Sequence, residues 1–107
     1  GFEILSKELL AKYLNLEISQ ISSFWNKEVE IDIYAKFESF CVAGECKYKE
    51  RKISKNVLNE LMLKCEKAHL APDLLALFSK SGFSGELRNL KSDKILLFSL
   101  EDFKILL

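Results

Sequence analysis

The stretch from Glu30 to Lys47 constrains the fold of this chain more than any other. It reads Glu-Ile-Asp-Ile-Tyr, bends through Glu38 and Ser39, and continues Phe-Cys-Val-Ala-Gly-Glu-Cys-Lys. Residues two apart on a strand share a face. Alternation therefore sends Glu30 and Asp32 one way and Val29, Ile31, Ile33 and Ala35 the other. On the second strand Glu45 and Lys47 point together, opposite Phe40, Val42, Cys46 and Tyr48. The bend between the two is short enough for a hairpin. Neighbouring strands of this pattern gather Asp32, Glu45 and Lys47 into one cluster.

A chain of 107 residues with 49% hydrophobic and 30% charged residues is expected to form one domain around a single core. Apolar runs such as Ile95-Leu96-Leu97-Phe98 are too short to cross a bilayer, and the first residues lack the pattern of a secretory signal. A cytoplasmic location with no membrane contact is the expectation, and the three cysteines read as reduced thiols. The abrupt ends, Gly1 directly in a helix and Ile105-Leu106-Leu107, suggest a fragment of a longer protein. Net charge is zero, which argues against a protein that coats nucleic acid through its overall field. Charge is nevertheless concentrated locally: Lys47, Lys49, Arg51, Lys52 and Lys55 stand against a single acidic residue, Glu50. This run is either a solvated loop or a phosphate-binding rim beside the cluster.

Apolar periodicity predicts a helix over Phe2 to Leu14 and a strand over about Glu17 to Trp25. Strands near Val29 to Lys36 and Phe40 to Tyr48 follow. Ser54 is a predicted N-cap for a helix whose apolar face runs Val57, Leu58, Leu61, Met62, Cys65 and Ala68, with Pro72 closing the region. Leu74 to Ser79 reads as a buried strand, Ser84 or Gly85 opens a helix to about Leu90, and Ile95 to Leu100 is a last strand before a helical turn from Glu101 to Leu107. The fold class is α/β, in the order α-β-β-β-α-β-α-β.

The cluster has the residue types that phosphodiester hydrolysis needs. A divalent ion offsets charge on the phosphate and supplies hydroxide near neutral pH. Mg²⁺ or Mn²⁺ takes oxygen ligands and keeps several waters, so Asp32 and Glu45, with the Cys46 carbonyl as a third donor, form a sufficient set. Lys47 would orient or deprotonate the attacking water. Glu30 shares a face with Asp32 and would support it. The same three residues also fit a simple cross-strand ion-pair set on a solvated sheet face.

Beyond these strands, Phe2-Glu3, Phe24-Trp25, Glu30-Ile31-Asp32, Gly44-Glu45-Cys46-Lys47 and Leu77-Phe78-Ser79-Lys80-Ser81-Gly82-Phe83 occur in order along nearly the whole chain. Together they resemble the PD-(D/E)XK nuclease superfamily, and more specifically a family of prokaryotic domains found at the C-terminus of P-loop ATPases. Tyr48 stands where many relatives carry Trp. The resemblance implies a restriction-endonuclease-like mixed sheet flanked by helices, an approach of Glu3 to the site from the first helix, DNA as a partner, and a P-loop ATPase domain in the same polypeptide. It leaves two functions in view: a metal-dependent DNA endonuclease whose target is chosen by DNA structure or by the ATPase, and an inactive module that binds nucleic acid or regulates the ATPase. Lys49, Arg51, Lys52 and Lys55 would then contact the nucleic-acid backbone.

Other constellations are weaker. Cys41 and Cys46 leave opposite faces of one strand, Cys65 and His69 form only half a zinc site, and no Cys/His metal is expected. His69 fits a helix C-terminal role. No Walker-type loop is present. The apolar C-terminal segment with Phe103, Ile105, Leu106 and Leu107 would pack inward, against a further domain, or against a second subunit.

Overall fold

The computed structural model describes residues Gly1–Leu107. Helix α1 (Phe2–Leu14) leads through a 3-10 turn (Ile18–Gln20) to β1 (Ser22–Trp25), β2 (Glu30–Lys36) and β3 (Cys41–Lys47). Helix α2 (Lys55–Lys67), β4 (Leu74–Ser79), the short α3 (Gly85–Arg88), β5 (Ile95–Ser99) and a 3-10 segment (Leu100–Leu106) complete the chain. The strands form one sheet in sequence order; β1, β2 and β3 are antiparallel neighbours, whereas β4 and β5 run parallel to β3. This is the expected mixed sheet flanked by helices.

Both faces of the sheet are covered. On one, Leu9 and Leu10 of α1 meet Ile33, Val42, Phe78 and Phe98, with Phe103 packed against them. On the other, Leu58, Leu61 and Cys65 of α2 and Leu87 of α3 meet Ala43 and Leu77. The helix caps follow the sequence: Ser54 Oγ accepts from Asn56 N–H, and Ser84 Oγ from Leu87 N–H. At the C-terminal end of α2, His69 adopts the left-handed region (φ 57°) and the Leu70 N–H returns to the Cys65 carbonyl. That backbone role accounts for the lone histidine.

Four details depart from the sequence reading. The predicted strand from Glu17 begins only at Ser22, because Gln20 Oε1 turns back to accept from the Glu17 N–H and closes a 3-10 turn instead. Met62 is half exposed, outside the apolar face of α2. Helix α3 stops at Arg88, short of Leu90. The alternation of β2 is also broken. Ile31 lies in the α2-side core while Ile33 and Ala35 lie in the α1-side core. The cause is a bulge: Phe24 pairs with Ile31 and Ser22 with Tyr34, so β2 spends an extra residue at Asp32–Ile33.

Gly44 has a steric task in the centre of the sheet. A Cβ there would stand 2.7 Å from the Ala76 carbonyl oxygen and 3.4 Å from the Phe78 ring. β3 and β4 approach at this point because residue 44 has no side chain.

Candidate functional site

The bulge and the adjoining splay of the strands place Asp32. The β2–β3 ladder runs from Lys36–Cys41 to Ile33–Gly44 and ends there, so the Cys46 N–H has no partner on β2. Asp32 Oδ2 accepts it at 3.0 Å. A carboxylate that fills a missing rung of the ladder is fixed in orientation by the backbone itself.

Glu45 follows Gly44 on β3, on the α2 face, and its side chain is only 6% exposed. Lys64 on α2 donates from Nζ to Glu45 Oε1 at 2.8 Å. Asp32 lies close enough to the same carboxyl group for its charge to act on it. Burial first, then Asp32, push Glu45 up to about 7 from 4.5, against the lowering influence of Lys64. The thiol of Cys46 is pushed up to about 12, chiefly by burial, with Asp32, Glu3 and Glu45 each adding to the cost of a thiolate. Three carboxylates thus lie near enough to Cys46 for their charge to act on it.

Glu3 from α1 and Glu30 from the start of β2 line a cavity of about 130 Å³ together with Asp32, Phe24 and Trp25. Lys47, two residues beyond Glu45, lines a separate cavity of about 380 Å³ with Lys49, Arg51 and Lys52, above the N-terminus of α2. These four cations take part in none of the three salt bridges, which join Lys64 to Glu45, Lys80 to Glu50 and Lys104 to Glu101. Lys55 does not line that cavity. Asp32 and Glu45 are therefore brought together, Glu3 and Glu30 are placed at their rim, and Lys47 begins the basic wall. The ammonium actually on Glu45 belongs to Lys64.

Sequence reasoning missed Lys64 and gave Trp25 no role. The signal for Lys64 was present: it lies three residues after Leu61 and directly before Cys65, a position on the apolar stripe of α2 occupied by a charge. Trp25 is 73% exposed on the edge strand.

A hard divalent cation fits this donor set. Asp32 and Glu45 offer carboxylate oxygens close to one another, and only one Glu45 oxygen is engaged, by Lys64. No group of three or more His, Cys, Asp or Glu side chains closes into a cage. Any cation held here would draw its protein ligands from this pair and the rest from water.

A family model, DUF234, described as archaeal and bacterial proteins of unknown function, matches residues 1–62, more than half of the chain. The chain belongs to the DUF234 family. No curated protein matches it. Among solved structures, this DUF234 chain is similar to the DNA modification-dependent restriction endonuclease AspBHI, with a TM-score of 0.68 and 13% identity, over 96% of this chain and 29% of that one. It is also similar to AF1548, a protein of unknown function, with a TM-score of 0.55 and 17% identity, over 91% of this chain and 58% of that one. The chain spans less than two thirds of either. At these identities the likeness is one of fold, and that fold is the restriction-endonuclease-like one.

Proposed function

We propose that this DUF234 domain is a divalent-metal-dependent DNA nuclease module. The observation that carries this is the Asp32–Glu45 pair, fixed by the Cys46 amide at a break in the β2–β3 ladder and flanked by unpaired cations. Asp32 and Glu45 would hold Mg²⁺ or Mn²⁺, which supplies charge compensation at the phosphate and a readily ionised water. Lys47 orients the attacking water and meets the charge developing on the phosphate. Lys64 favours the ionised form of the buried Glu45, and Glu3 and Glu30 add negative charge at the rim beside Asp32 that a bound cation would offset. Lys49, Arg51 and Lys52, with Lys55 beyond them, hold the DNA backbone. The target is selected by DNA structure or by a P-loop ATPase domain in the same polypeptide, in the cytoplasm.

A binding-only module is the second reading, favoured by one observation: the four cations of the basic wall line a cavity to which neither Asp32 nor Glu45 contributes. The two separate on incubation of the purified domain with branched, single-stranded and duplex DNA in Mg²⁺ or Mn²⁺. Cleavage is expected, reduced roughly 100-fold or more by Asp32→Ala, Glu45→Ala or Lys47→Ala. Equal cleavage by wild type and Asp32→Ala sinks the site. Binding without cleavage, with a log–log salt slope that falls by about two when Lys49, Arg51 and Lys52 are neutralised, supports the binding-only module.

A further inference from the structure

The two sides of the site differ sharply in chemistry. On one side stand Lys47, Lys49, Arg51 and Lys52, all free of carboxylate partners. On the other, Glu3, Glu30 and Asp32 share a cavity with Trp25. Among the large apolar side chains, Trp25 is more exposed than any except the C-terminal Leu107. Its neighbour Phe24 packs inward, edge-on to Tyr34 with ring centroids 5.4 Å apart, so the local core is already satisfied without Trp25.

We propose that the site takes an unpaired DNA strand, whose phosphates follow the basic wall while a base next to the carboxylate pair stacks on Trp25. The proposal rests on the nuclease reading for the choice of DNA, and it adds the substrate class. A duplex carries two phosphate backbones, one of which would face the Glu3–Glu30 rim and be repelled. A single strand presents phosphates on one side and neutral bases on the other, matching cations on one side and an aromatic face on the other. The rim carboxylates then act as a filter against the second strand.

Trp25 is the only tryptophan, so its fluorescence reports on this contact alone. The intact chain would be titrated with single-stranded and blunt duplex oligonucleotides of equal length, in Ca²⁺ and again in EDTA. Saturable quenching by the single strand is expected, with little change on adding duplex. Affinities followed by anisotropy of a labelled single strand should weaken roughly 10- to 100-fold for Trp25→Ala and stay near wild type for Trp25→Phe. Because the side chain is exposed, the thermal unfolding midpoint of Trp25→Ala should match wild type. Equal or stronger quenching by duplex overturns the proposal. So does wild-type affinity of Trp25→Ala for the single strand, or failure of the single strand to bind. The nuclease reading is judged separately. Cleavage of duplex that ignores Trp25→Ala leaves it standing while this inference fails, and single-strand quenching without cleavage in any cation does the reverse.

Discussion

Replacing Phe78 with alanine is expected to lower the unfolding free energy by about 3–5 kcal/mol, the cost of emptying a fully enclosed aromatic site. Phe78 is 0% exposed and stacks on Phe98 with ring centroids 5.0 Å apart and planes 18° from parallel. Phe103 of the C-terminal 3-10 segment meets it at 6.5 Å, nearly edge-on. Its ring also occupies the space that the missing side chain of Gly44 leaves open. The cavity therefore cannot close by a small shift of one neighbour, because the surrounding groups come from β3, β5 and the C-terminal segment at once. Phe78 pairs in register with Cys46, whose N–H holds Asp32, so the same substitution should loosen the carboxylate pair. Urea unfolding of wild type, Phe78→Ala and Phe78→Leu measures the first effect. A loss below about 1 kcal/mol for alanine would show that this layer is not the closely packed core described.

Stability should also fall as pH rises from about 4.5 to about 7, because Glu45 is held up in the folded state at about 7. The sign follows from proton counts. Below 4.5 both folded and unfolded chains carry the Glu45 proton, and its contribution to stability is fully present. Between the two values the unfolded chain releases that proton while the folded one retains it, so the contribution is lost as pH rises. Above 7 both are ionised and the curve levels. The size of the raised value corresponds to roughly 3 kcal/mol across the window. Urea unfolding in EDTA across this range isolates the effect as the difference between wild type and Glu45→Gln. A difference that does not change between pH 4.5 and 7 would mean that Glu45 is not desolvated beside Asp32.

The sequence made the order of elements and the two central strands legible because their signals are local. Ser54 caps the helix it was expected to cap, Ser84 caps the helix expected to open at Ser84 or Gly85, and Leu74 to Ser79 forms a strand with those bounds. Asp32 and Glu45 were singled out by alternation, yet alternation is not what joins them. Simple two-residue periodicity put Ile31 and Ile33 on one face, whereas the bulge divides them between two cores. A bulge depends on the pairing of β2 with β1, which no property of β2 alone announces. The position of Lys64 on the apolar stripe of α2 marked it as unusual, but its partner was not legible. A lysine within a helix reads as solvated until the helix is docked, and only docking of α2 on the sheet carries it to Glu45, 19 residues away in sequence. The basic wall was visible as composition, while its separation from the acidic rim is a property of the folded sheet.

If Asp32 and Glu45 together hold a divalent cation, crystals of the domain soaked in Mn²⁺ will reveal it by anomalous scattering. A peak is expected within about 2.0–2.6 Å of a carboxylate oxygen of both residues, with the remaining coordination made by water, and it should be lost in Asp32→Ala. Wild-type crystals that show no peak between the two carboxyl groups at saturating Mn²⁺ would rule out that site.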